Sequence, residues 1–163
     1  SPDYYTTHHF LAESLFHLGE LDRARAAHEA HHAHDPGEPE AIYGIGLIDL
    51  EEGDLDAAEK RFREAIRLFE SMRETAPRQH RSRQTDLAKH HARLADVHFA
   101  RDDYEAARAA LETATTLHPG LVSGLYTLHL VQRRLGDDDA ADATFAQYEA
   151  ARAAAMRRLG GGS

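Results

Sequence analysis

An all-α solenoid of four antiparallel helix hairpins is the fold this sequence predicts, and three observations predict it. A six-residue turn pattern recurs as Gly19-Glu20-Leu21-Asp22-Arg23-Ala24, Gly53-Asp54-Leu55-Asp56-Ala57-Ala58, Asp102-Asp103-Tyr104-Glu105-Ala106-Ala107 and Gly136-Asp137-Asp138-Asp139-Ala140-Ala141, at intervals of 34, 49 and 34 residues. Self-similarity at a period near 34 marks a helical array in which no unit buries its apolar face alone. Upstream of each turn runs a stripe at helical spacing, such as Ile42, Ile45, Gly46 and Asp49, or Leu125, Leu128, His129 and Gln132. Downstream, an alanine is followed four residues later by a larger side chain: Ala24 and His28, Ala58 and Phe62, Ala107 and Leu111, Ala141 and Phe145. The small residue lets paired helices approach closely, and the larger one fills the space against the next hairpin.

Taken in order, the pattern places eight helices near 3–18, 21–34, 38–52, 55–75, 84–101, 104–118, 121–135 and 138–159. Ser1-Pro2-Asp3 reads as a helix start, with a serine cap and proline in the first turn. The fourth helix is longer than its peers because Leu55, Ala58, Phe62, Ala65, Phe69 and Met72 keep one stripe running. Residues 76–84 follow with a proline and no aliphatic anchor, which predicts a basic, exposed loop inside a 15-residue insertion. Gly160-Gly161-Gly162-Ser163 reads as a flexible tail. Both ends give the expectation of a domain cut from a larger protein.

These hairpins resemble the tetratricopeptide repeat, whose pattern is W-x2-L-G-x2-Y, then A-x3-F, then P. Pro36 and Pro119 stand twelve residues after Ala24 and Ala107, where that family places its closing proline. The resemblance implies a right-handed superhelix over residues 1–159 as a single domain, with repeats about 5–38, 39–72, 88–121 and 122–159 and an insertion about 73–87. The chain departs from the pattern in having no tryptophan and in placing Asp49, His98 and Gln132 where tyrosine is usual.

Within the resemblance, the first helix of each repeat lines a concave groove for a peptide or partner domain. Carried over by position, the groove takes Thr6, His9, Glu13 and Phe16, then Glu40, Tyr43, Leu47 and Leu50. The third repeat adds Lys89, Ala92, Asp96 and Phe99, and the fourth Ser123, Tyr126, Leu130 and Arg133. Tyr43 and Tyr126 share one repeat position, and with Phe99 they offer apolar anchors between polar rims. The family's carboxylate clamp needs several basic groove residues, and here only Lys89 and Arg133 stand out. The last helix keeps Phe145, Tyr148, Met156 and Leu159, so a capping element or a second copy is expected against it.

Composition narrows the function classes. The chain has 163 residues and a formal charge of −9, so it lacks the basic stripe that nucleic-acid phosphates require. No apolar run is long enough to cross a bilayer. Without cysteine, neither a disulfide nor a thiolate metal site can form. No phosphate-cradling loop is present, because Gly44-Ile45-Gly46 lies inside a helical stripe, and no G-x-S-x-G elbow occurs.

Histidine is the one chemical candidate. His28-Glu29-Ala30-His31-His32 matches H-E-x-x-H, which sets two zinc ligands one helical turn apart beside a glutamate base. Seven of the thirteen histidines lie in the first 34 residues, and His9 and His17 with Glu13 form a second pairing. A zinc hydrolase also needs a third ligand and an open water position, and the repeat assigns His28 to packing, where its counterparts are Phe62, Leu111 and Phe145. His8, His28, His31, His91, His98 and His129 all fall at packing positions of the repeat. Burial penalises a charged imidazole, so acidification is expected to destabilise the fold. The reading is a non-enzymatic interaction scaffold without catalytic residue or cofactor, with a histidine metal site on His28 and His32 as the alternative.

Overall fold

A computed structural model describes residues 2–160, with side chains from 10 to 159. Ser1 and residues 161–163, expected as a cap and a tail, lie outside the described residues. Among those described there are nine helices and no strand: α1 (Pro2–His17), α2 (Leu21–His34), α3 (Pro39–Glu51), α4 (Leu55–Thr75), α5 (Pro77–Ser82), α6 (Gln84–Ala100), α7 (Tyr104–Leu117), α8 (Val122–Leu135) and α9 (Asp138–Gly160). The chain divides into two compact units, Ser1–Ser82 and Arg83–Ser163. In the first, hairpin α1/α2 packs through α2 on α3 of hairpin α3/α4; in the second, hairpin α6/α7 packs through α7 on α8 of hairpin α8/α9.

The recurring turn has a backbone cause. Gly19, Gly53 and Gly136 have φ of +75°, +81° and +78°, the left-handed conformation that ends a helix without a Cβ penalty, and Asp102 takes the same place at φ +59°. Each turn closes with two bonds onto the preceding helix, as when Gly53 N–H donates to Leu50 O at 3.1 Å and Asp54 N–H to Asp49 O at 2.9 Å. The next residue caps the following helix: the Asp54, Asp103 and Asp137 carboxylates accept from Ala57, Ala106 and Ala140 N–H at 3.0, 3.2 and 3.3 Å. Glu20 departs from this: its carboxylate pairs with Arg23 and α2 has no side-chain cap. Glycine followed by aspartate therefore ends one helix and starts the next within two residues.

Close packing follows the alanine positions. Ala24, Ala58, Ala107 and Ala141 are fully buried, and so are Phe62 and Leu111 four residues on from two of them. Each of those larger side chains contributes about 1.5–3 kcal/mol by leaving water. In the second unit Ala88, Ala95, Ala107, Ala114, Leu128 and Val131 form one cluster, against which Phe99 and Tyr104 pack. In the first unit Asp49, at a tyrosine position of the repeat pattern, is buried and held by Arg25 from α2 at 2.8 Å, with Arg61 of α4 at 3.9 Å. Arg25 also reaches Glu52 at 2.8 Å, so an ionic cluster stands where an aromatic ring would.

Two expectations need correction. The stretch expected as an exposed loop contains the helix α5, docked on α4 through His80, whose ring lies 5.4 Å from that of Phe69. His80 is buried although the flanking Arg78 and Arg81 are exposed. Among the histidines assigned to packing, His28, His31 and His98 are buried, whereas His91 and His129 are only half-buried. The fully buried histidine of α6 is His90, one residue earlier. A one-residue step turns a helix by about 100°, which is enough to exchange an edge position for an interior one.

Candidate functional site

Within each unit, the wall formed by the first helices of its two hairpins is a candidate surface. In the first unit α1 touches α3, and in the second α6 touches α8. Among the described residues the second helices, α2 with α4 and α7 with α9, make no such approach. First helices are thus closer together than second helices within each unit, which makes the first-helix side the inner, narrower one.

On α1, Glu13 is exposed and Phe16 half-buried; the side chains of His9, Thr6 and His8 lie outside the described residues. On α3, Tyr43, Leu47 and Leu50 are each half-buried, while Ile42, Ile45 and Ile48 of the same helix are within 3% of full burial. The Tyr43 ring rests on Phe62 with centroids 5.8 Å apart, so a packed core residue sets its position. That division, with isoleucines inward and Tyr43, Leu47 and Leu50 at the surface, comes from helical periodicity alone.

On α6, Lys89 is exposed and Asp96 and Phe99 are half-buried; Ala92 is buried. On α8, Tyr126 is 45% exposed, Leu130 is half-buried and Arg133 exposed. Tyr126 leans on Tyr148 of α9 at 5.4 Å between centroids and on His129 at 6.5 Å. His129 is fixed by its Nδ1–H, which donates to the Ala141 carbonyl at 2.9 Å, and its ring meets Phe145 at 5.0 Å. His129 and Tyr148 therefore support Tyr126 from behind, a role that sequence position alone did not give them.

The charges of this wall are largely spoken for. Arg133 pairs with Asp138 at 2.7 Å and with Asp142, and Lys89 is 3.5 Å from Asp86. Burial pushes the Asp96 carboxyl above its ordinary value, and the Arg93 guanidinium 2.8 Å away, which pulls it down, does not reverse this. Asp96 is engaged too, through one of its oxygens, by the exposed Arg93 of its own helix.

The histidine alternative meets a packed helix. His28 is buried and its ring lies over Gly44 of α3, where an added Cβ would come within 2.6 Å of Nδ1 and closer still to Cε1 and Nε2. Glu29 is exposed and His32 half-buried, and His17 and Glu13 are exposed. Among the described residues no three metal-capable side chains come together. His28 is a core residue whose shape is matched by the missing side chain of Gly44.

The fold of each unit is that of a helical repeat array. Residues 39–71 and 88–120 match the tetratricopeptide repeat. A comparison with curated proteins yields no match. Among solved structures, MamA is similar at 21% identity over 86% of this chain and 73% of its own, with a TM-score of 0.66. BtubC from P. vanneervenii gives 18% identity over 93% of this chain and 64% of its own, with a TM-score of 0.73. The first TPR of Spaghetti (RPAP3), bound to the HSP90 peptide SRMEEVD, gives 17% identity over 83% and 96%, with a TM-score of 0.67. At these identities the likeness is one of fold.

Proposed function

We propose that the protein is a non-enzymatic scaffold that binds an extended segment of a partner protein along a first-helix wall. The observation that carries this reading is the graded burial of α3 and α8. Tyr43 and Leu47, and likewise Tyr126 and Leu130, are neither sealed in the core nor fully solvated, and each tyrosine is propped by a ring behind it. Rigid aromatic anchors with polar neighbours are the usual source of binding energy at such surfaces.

The wall's chemistry favours one kind of ligand. The Spaghetti repeat binds an acidic peptide, SRMEEVD. Here Arg133 is engaged by two aspartates, whereas Asp96 has Arg93 as its one partner among the described residues and on one oxygen, so a segment with apolar side chains and a lysine or arginine to share Asp96 suits the second unit better.

The test is selection from a displayed library of random peptides, followed by titration of the enriched sequences. Apolar-basic peptides are expected, and Tyr43→Ala or Tyr126→Ala is expected to weaken the peptide bound at its own wall by tenfold or more, about 1.4 kcal/mol. Enrichment of no sequence, or affinities unmoved by both substitutions, would overturn the proposal.

A further inference from the structure

The final helix carries a second surface, which borders the second unit's first-helix wall at Asp142 and Phe145. Asp142, Phe145, Glu149, Arg152, Met156 and Leu159 of α9 are all exposed, with Phe145 at 36%, Met156 at 61% and Leu159 at 87%. Their spacings alternate between four and three residues, so they form one stripe with the 3.5-residue period of a coiled-coil seam. Beside the stripe stand exposed Ala146 and Ala153, small enough for another helix to approach closely. Within its own unit α9 packs only on α8 among the described residues, and the stripe keeps its exposure.

The order of residues along the stripe says what would cover it. When a copy of α9 is laid antiparallel about a two-fold axis between Glu149 and Arg152, Glu149 of one chain faces Arg152 of the other, twice. Phe145 then faces Met156, also twice, which places a thioether against an aromatic ring. Glu149 and Arg152 make no ion pair among the described residues, so both are available. The outermost layer, Asp142 against Leu159, adds least, because Arg133 already engages Asp142. A parallel pairing would set Glu149 on Glu149 and Arg152 on Arg152. The stripe is thus complementary to itself in one orientation only.

We propose that the protein forms a two-fold symmetric homodimer through antiparallel pairing of α9, with Phe145–Met156 and Glu149–Arg152 as its central layers. Sedimentation equilibrium of the whole chain between about 5 and 200 µM tests it. The expected result is a mass rising with concentration toward twice 18.2 kDa. Glu149→Arg and Arg152→Glu should each shift the dissociation constant upward by tenfold or more. The double swap should restore pairing, and so should mixing the two single variants, since each then meets the opposite charge at both contacts. These positions are exposed on α9, so unchanged helical circular dichroism is expected for every variant. A mass of one chain at all concentrations would overturn the proposal, as would a dimer indifferent to the swaps or one that the double swap and the mixture both fail to restore.

Discussion

At the scale of single residues, the most informative contact is His28 over Gly44. In a helix, alanine is favoured over glycine by about 1 kcal/mol, so Gly44→Ala would stabilise α3 if space allowed. The buried imidazole leaves none, and overpacking of this kind typically costs about 1–3 kcal/mol. Gly44→Ala is therefore expected to lower the stability measured in urea, while the same change in a His28→Ala background becomes neutral or favourable. A cost that persists without the ring would contradict the packing. The repeat pattern made it legible that His28 belongs inside, but not why residue 44 is glycine, because that reason lies sixteen residues away on another helix. Asp96 makes a second prediction. Its carboxyl is raised by burial, so it holds a proton more tightly when folded; the stability it contributes is complete below the unfolded value of about 3.9 and is lost as pH rises through the folded one. Asp96→Asn should flatten the decline of melting temperature from about pH 4 toward neutrality and raise it at pH 7. An unaltered pH profile would contradict that origin.

At the scale of elements, the turns explain why the repeat could be read at all. A left-handed residue must end one helix and a short carboxylate must start the next, so glycine and aspartate recur for local reasons that need no knowledge of the fold. Asp102 breaks the rule and keeps the geometry at φ +59°, while Tyr104 O–H donates to its carboxylate. Left-handed backbone costs a residue with a Cβ about 1–2 kcal/mol, somewhat less for aspartate, and an exposed hydrogen bond returns only part of it. Asp102→Gly should therefore stabilise the α6/α7 hairpin by about 0.5 kcal/mol in thermal denaturation, and a loss would mean that the tyrosine contact outweighs backbone strain. The helix α5 was not legible for the opposite reason. Its anchor is His80, a residue equally at home in water, and only the proximity of Phe69 shows it to be buried.

At the scale of the molecule, each of the two units has its own pair of hairpins and its own first-helix wall. The wall positions follow from the same period that revealed the repeats, which is why Tyr43, Leu47, Tyr126 and Leu130 could be placed before their surroundings were known. What periodicity could not supply was the state of the charges: that Arg133 is tied to two aspartates, and that Asp96 is held above its ordinary value. Those facts depend on α9 and on burial, and they are the ground on which apolar and basic ligands are proposed for the second unit's wall. The most direct measurement of this account is amide chemical-shift mapping of the labelled protein with a library-selected peptide. Shifts concentrated on α3 around Tyr43 and Leu47, or on α6 and α8 around Asp96, Tyr126 and Leu130, are predicted. Shifts confined to α2, α4 or α7 would contradict it.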